Sequence, residues 1–385
     1  MARDGRTAGI LDRCIDWLEQ RLNLTEIFSA LSIYGLFYSE IDTRKPLRQA
    51  LRDALDRPLP SYARWPRVLG LLVVVLFVFE GLTGGLLALY YRPTAEAAHA
   101  SVRTIVRDVQ FGWSVHQIHR WGAQLLLAVL VLRLLRFFYG GLHRPPRELL
   151  WLVAGALFLA GTHLELSGRL LTWNSLSYWS TTRGLEVLFD VPVAGDLLAL
   201  FVGGREVGDP TLLRFYVLHV LVLPLAFLGL LYLNFATVRR VGLSPEGGEP
   251  AGAGREQYRA HAYNLGILIT LIFAVLVTLA VLLPAPFSSE VDLFATPAGV
   301  RPPWYLLGAY GFLEIFPAWV PRRLSATLLT ALLALVAALP FLERAPAEAG
   351  RRSRRVWILG TALFVLWALF TLYGALLDLP GGGTP

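Results

Sequence analysis

The chain has 385 residues, 55% of them hydrophobic and 16% charged, and carries a formal net charge of +7. Apolar runs of bilayer-crossing length recur along it, which excludes a soluble globular or disordered chain. The basic excess sits between those runs, with no stacking platform or nucleic-acid motif beside it. It therefore reads as a topology signal and not as a nucleic-acid interface.

The first 20 residues mix Arg, Asp and Glu and show no apolar core of a cleavable signal peptide. Residues 10–31 instead space Ile10, Leu11, Ile15, Leu18, Leu22 and Ile27 as an amphipathic helix lying on the membrane surface. The one cysteine, Cys14, lies in it. An intrachain disulfide and a thiolate metal cluster are thus excluded, and any prosthetic group must be held without Cys-x-x-Cys attachment.

Seven spans are predicted, at about residues 66–90, 113–139, 149–171, 211–238, 262–283, 323–342 and 355–377. Basic clusters precede the first span (Arg44, Lys45, Arg48, Arg52) and follow the second (His143, Arg144, Arg147), fourth (Arg239, Arg240) and sixth (Arg351, Arg352, Arg354, Arg355). With seven spans these clusters share one side, the cytoplasmic side by the positive-inside rule. The N-terminus is then cytoplasmic and the C-terminus outside. Residues 242–254, rich in Gly, Pro and Glu, read as a linker. The expected organisation is a cytoplasmic and amphipathic segment (1–65), a four-helix part (66–241), a linker (242–261) and a three-helix part (262–385). Two outer segments, 172–210 and 284–321, are too long for turns and rich in aromatics and prolines, as docking or functional loops are.

Within the second span His119 and Arg133 are 14 residues apart, and within the fourth His219 and Asn234 are 15 apart. Such steps return to within about 40–60° of one helix face after a rise of about 21–22 Å. That suits two cofactor levels stacked between one pair of helices, of which only one keeps its histidines.

Several stretches then point one way: YYRPT (90–94), FGWSVHQIHRW (111–121), GGLHRPPRELLW (140–151), TLLRFYVLHVLVLPL (211–225) and PFLE (340–343). In that order they resemble cytochrome b of the quinol-oxidising bc and bf complexes, closest to the plastid and cyanobacterial branch, with its split subunits fused. Residues 30–62 look like an insertion. The resemblance implies an all-α membrane fold of seven helices, a four-helix bundle holding haem b and a three-helix C-terminal part. It assigns His119 and His219 to the haem nearer the outer side, with Gly84 and Gly168 letting the macrocycle approach and Arg120 (as well as Arg214) flanking it. It assigns Arg133 and Asn234 to the positions that hold the inner haem in the family. There Gly70 remains, but its counterpart is Ala154, so one haem b is expected instead of two. Val68 stands where the bf branch attaches an extra haem.

The family's quinol-oxidation loop reads Pro-Glu-Trp-Tyr; here it is Pro302-Pro303-Trp304-Tyr305, and proline cannot carry a proton. The proline-tryptophan pair ending the third helix is Thr172-Trp173. The usual bifurcating cycle is therefore in doubt.

Each candidate also has a blander reading. His119 and His219 could be hydrogen-bonded core histidines, although ionisable groups inside spans default to function. His116 reads as an interfacial residue, or as a propionate partner or alternative ligand. Arg133 either snorkels to the headgroups or fills vacated haem space against Asn234. Glu80, His163 and Glu165 form a candidate polar or proton-carrying set near mid-membrane, or a helix–helix contact; His163 could also rescue a second haem. Trp304 and Tyr305 are either belt aromatics or part of a quinone pocket.

The resulting expectation is a divergent cytochrome b subunit of a quinol:acceptor oxidoreductase in the cell membrane. It would pass electrons between quinone, one haem b and an outer-side c-type cytochrome or Rieske-type iron–sulfur subunit. Other membrane subunits, a cytochrome b dimer or a heterodimer are implied as partners, and no nucleic acid. The rival expectation is a haem-poor anchor that docks cytochromes or a catalytic paralogue.

Overall fold

The computed structural model describes residues 69–241, 256–343 and 353–377, apart from 192, 203, 286 and 298, together with Pro46, Gln49, Arg52, Asp53, Pro58 and Leu59. The amphipathic segment 10–31 with Cys14, the whole stretch 242–254, and Arg44, Lys45, Arg48, Arg351 and Arg352 lie outside the described residues.

The chain divides into two compact units. One takes residues 1–67 and 238–271; its described part includes a two-residue antiparallel ladder, β1 (Pro58–Leu59) on β2 (Glu256–Gln257). The other takes residues 68–237 and 272–385 and contains every element discussed below except residues 238–241 and 258–271 of two helices.

Helices follow in the order α1 (Leu69–Ala88), α2 (Ala98–Arg107), α3 (Gly112–Tyr139), α4 (Glu148–Leu171), α5 (Ser175–Phe189), α6 (Ala194–Val202), α7 (Asp209–Val217) and α8 (Leu223–Val241). Then come α9 (Tyr258–Leu282), α10 (Leu307–Glu314), α11 (Arg322–Leu342) and α12 (Arg354–Leu376). Among the described residues, seven stretches are long and apolar enough to cross a bilayer: α1, α3, α4, the joined α7–α8 rod, most of α9, α11 and α12. These coincide with the seven predicted spans to within a few residues. Large apolar side chains point outward along them, among them Leu82, Leu86, Leu225, Leu228, Ile267 and Leu369, as a lipid-facing surface requires.

Lipid tails are as apolar as leucine, so helices in a bilayer are held by close packing and by buried polar bonds. Both devices are present. α10 and α12 meet backbone to backbone: a Cβ on Gly311 would strike Phe370 O, and one on Gly374 would lie 2.5 Å from Leu307 O. Trp151 Nε1 on α4 donates to Val336 O on α11 at 3.2 Å.

The segment after α9 folds back over the helix ends. Ala285 N donates to Gln117 Oε1 of α3 at 3.0 Å, and Trp121 Nε1 of α3 donates to Leu283 O at 3.1 Å. Asn174 caps α5 by accepting from Ser177 N, and bridges to Glu290 as well. Trp179 Nε1 donates to Asp292 O at 3.1 Å, and Ser180 Oγ to Arg301 O at 2.9 Å. The two long segments singled out in the sequence are thus one docked layer, which fixes the loop at Pro302.

Candidate functional site

His119 projects from α3 and His219 from the α7–α8 rod. Their rings lie 6.1 Å apart, centroid to centroid, with planes at 87°. With about 2 Å per metal–imidazole bond and about 1 Å from ring nitrogen to ring centre, one shared metal ion separates two imidazole centroids by about 6 Å.

His219 sits inside a single π-helical turn, Leu218–Val222, that joins α7 to α8. Pro224 has no N–H to return to residue 220, and Leu223 N bonds instead to Leu218 O. The extra residue in the turn is the local price of placing His219, and such turns recur at functional sites.

Both rings are fixed from behind. Thr83 Oγ1 donates its own hydrogen to Phe79 O at 2.7 Å and lies 3.0 Å from His119 Nδ1, so it receives that nitrogen's hydrogen. Glu80 Oε2 is also 3.0 Å from Nδ1. His219 Nδ1 donates to Leu164 O at 3.0 Å, with Ser167 Oγ at 3.3 Å. Each Nδ1 therefore carries the proton and each Nε2 keeps its lone pair, the tautomer that a metal-ligating histidine needs.

Two glycines make the room. A Cβ on Gly84 of α1 would lie 3.1 Å from His119 Cε1, and one on Gly168 of α4 would lie 2.5 Å from His219 Cε1. Close by, His116 Nδ1 is buried with no hydrogen-bond partner, an orphan that an anionic group such as a propionate would satisfy. Arg120 is exposed, its guanidinium 5.7 Å from the Trp121 ring centre. The donor set, its tautomers and the orphaned His116 fit a bis-histidine haem.

Arg133 and Asn234, further along the same two helices, meet each other. Arg133 is 3% exposed and donates to Asn234 Oδ1, itself buried, while its guanidinium lies 4.8 Å from the Phe137 ring centre. It does not snorkel. Ala154 is buried there too. Between the levels Leu76, Leu127, Leu130, Leu157 and Phe227 are fully buried, and Phe77 stacks on Phe227 at 4.7 Å.

The Pro302-Pro303-Trp304-Tyr305 segment opens a 3-10 turn (Trp304–Leu306) that leads into α10. It is tied to the bundle by a polar network. Tyr305 donates its hydroxyl to Glu165 of α4, which also takes Gln124 Nε2 at 2.7 Å and both Nε and Nη2 of Arg169. Trp304 Nε1 completes the ring by donating to Gln124 Oε1 at 2.7 Å. Burial, and the Glu165 carboxylate beside it, hold the Tyr305 phenol well above the usual phenol range.

Glu80, His163 and Glu165 thus occupy three separate environments. Glu80 backs His119, Glu165 anchors the loop, and His163 Nδ1, among the described residues, bonds only to Leu159 O of its own helix at 2.7 Å. Sequence reasoning missed Thr83, Gln124 and Arg169. Arg169 was readable as the i,i+4 partner of Glu165; for Gln124 no signal exists, because its partners lie on other elements.

A family model described as cytochrome b/b6/petB matches residues 55–242, and one described as cytochrome b (C-terminal)/b6/petD matches residues 290–379. The chain belongs to the cytochrome b family. It is 30% identical to a cytochrome b of Allochromatium vinosum over 353 residues, covering 85% of each chain. It is also 38% identical to cytochrome b6 of Heliobacterium mobile over 207 residues, covering 53% of this chain and 97% of that one. Its fold is similar to a chain of a hyperthermophilic respiratory Complex III, with a TM-score of 0.71 at 25% identity, covering 94% of this chain and 98% of the other. This cytochrome b chain is accordingly a multi-pass membrane subunit of a bc/b6f-type electron-transfer complex.

Proposed function

We propose that this subunit carries one haem b, between His119 and His219, and exchanges electrons between quinone and a redox partner on the outer face of the cell membrane. The observation that carries the reading is the pair of imidazoles 6.1 Å apart, both with Nδ1 committed as a donor. A haem bound there supplies a one-electron carrier. The residues do the rest. Gly84 and Gly168 leave the rings free to present Nε2, Thr83 and Leu164 O fix their tilt, and His116 offers a donor to a propionate.

The quinone would be met at Trp304 and Tyr305. Because Tyr305 aims its own proton at Glu165, its oxygen presents a lone pair outward, ready to accept from a quinol hydroxyl. As Tyr305 Oη takes the quinol proton it would pass its own to Glu165 Oε2, so that the Glu165 carboxylate becomes the proton acceptor that Pro303 cannot be. At the Arg133–Asn234 level neither side chain ligates iron, Arg because its nitrogens stay protonated. Electrons therefore enter and leave on one side. The partner on that side would be a c-type cytochrome or a Rieske-type iron–sulfur subunit, with the N-terminus cytoplasmic.

The test is haem b per chain in the purified complex, by pyridine haemochrome, on the wild type and on His219→Ala. One haem, lost in the variant, is expected. Two haems would overturn the one-level reading. No haem attributable to this chain would leave a docking scaffold.

A further inference from the structure

The two imidazoles are backed by unlike groups. His219 Nδ1 donates to a neutral backbone carbonyl, Leu164 O, at 3.0 Å. His119 Nδ1 faces the carboxylate of Glu80 at 3.0 Å, on a side chain that is 13% exposed. Glu80 lies on α1 one turn before Gly84, so one face of α1 supplies both the gap for the ring and the charge behind it.

Room for that charge is built into the facing helix. A Cβ on Gly122 of α3 would fall on Glu80 Oε1. Gly122 is one turn beyond His119, and any other residue there would push the carboxylate off the ring. Thr83, receiving from the same Nδ1 while its own hydrogen is spent on Phe79 O, fixes the direction of the bond. Thr83 and Gly122 thus hold the Glu80 carboxyl group in place as an acceptor of the ligand's N–H.

We propose that Glu80 is a positioning residue that lowers the reduction potential of the haem between His119 and His219, by acting through His119. A carboxylate draws the Nδ1 proton more strongly than a carbonyl does, which makes the imidazole a more basic donor to iron. A more basic ligand, with a negative charge behind it, favours the ferric over the ferrous state. The proposal rests on the one-haem reading of this site.

The test is a redox titration of the haem in the purified complex, with haem content measured in parallel, on the wild type, Glu80→Gln and Gly122→Ala. Glu80→Gln keeps shape and an acceptor oxygen but removes the charge, so a purely orienting role would leave the potential unmoved. The expected result is a shift to more positive potential, about tenfold in the ferrous-to-ferric ratio, equal to about 59 mV for one electron. Gly122→Ala should shift it the same way by less, because the carboxylate is displaced and not removed. Full haem content with an unchanged potential in Glu80→Gln overturns the proposal. If that variant loses its haem, an unchanged potential in Gly122→Ala overturns it equally. A wild type without haem on this chain overturns the one-haem reading instead, a result distinct from either.

Discussion

Tyr305 hands its hydroxyl hydrogen to Glu165, joining an extramembrane loop to a span 140 residues earlier in the chain. All four acceptor positions of that carboxylate are engaged, by Tyr305, by Gln124 and twice by Arg169. The hypothesis that this bond carries the quinol proton has a direct kinetic consequence. Tyr305→Phe and Glu165→Gln should each lower quinol oxidation about 10²-fold or more, the usual scale for losing a positioned acid or base. Haem content should stay at the wild-type value. Steady-state quinol:acceptor kinetics decide it, and rates within about twofold of wild type in both variants would remove the proton role.

The raised phenol of Tyr305 also sets an alkaline limit. In the unfolded chain the phenol ionises near its ordinary value, about 10. In the fold it ionises higher, because burial and Glu165 disfavour the phenolate. The neutral phenol therefore contributes stability that is complete below about pH 10 and is lost as pH rises through the folded value. Thermal unfolding of wild type and Tyr305→Phe between pH 7 and pH 11 should diverge in slope only above about pH 10. A steeper wild-type loss already at pH 8 would contradict the assignment.

Arg133 and Asn234 are a buried couple, and removing one strands the other. Arg133→Ala should destabilise the complex by about 1.5–3 kcal/mol, the range for a hydrogen bond to a charged group. The double change Arg133→Met with Asn234→Leu should restore most of it, since no unpaired polar group remains. Melting in detergent checks both, and haem content should be unaffected by either.

The glycines at the histidine level should differ in their tolerance. A Cβ at Gly168 lies 2.5 Å from the His219 ring, against 3.1 Å from the His119 ring for Gly84. Gly168→Ala should therefore lose haem more completely than Gly84→Ala. Equal retention in the two variants, measured by haemochrome, would show that the rings move aside freely.

The spans were legible because hydropathy and length are sufficient in a bilayer, and His119 and His219 because an ionisable side chain in a span stands out. The fate of Arg133 was left between two readings, since a guanidinium two turns from a helix end reaches either headgroups or Asn234 with equal ease on paper. Packing decided it: Phe137 and Asn234 receive the guanidinium inside the bundle. Glu80, His163 and Glu165 looked like one set because they share a depth in the membrane. Depth says nothing about which way a side chain turns: Glu80 meets His119 and Glu165 meets Tyr305, both far away in sequence, whereas His163 turns back to Leu159 O on its own helix. Gln124 was invisible for the same reason. The π turn at His219 left one clue, Pro224, whose missing N–H requires some local accommodation without naming its form.

Leucines and phenylalanines fill the space between the His119–His219 pair and the Arg133–Asn234 pair. On the one-haem hypothesis, an electron that arrives at one face departs from that face, and turnover displaces no electron along the field across the membrane. Transmembrane voltage would then neither brake nor drive the subunit's electron traffic. In sealed vesicles an ionophore that collapses the voltage should leave the rate of haem reduction by quinol unchanged, and acceleration on collapse would reveal a conducting path that this packing does not provide.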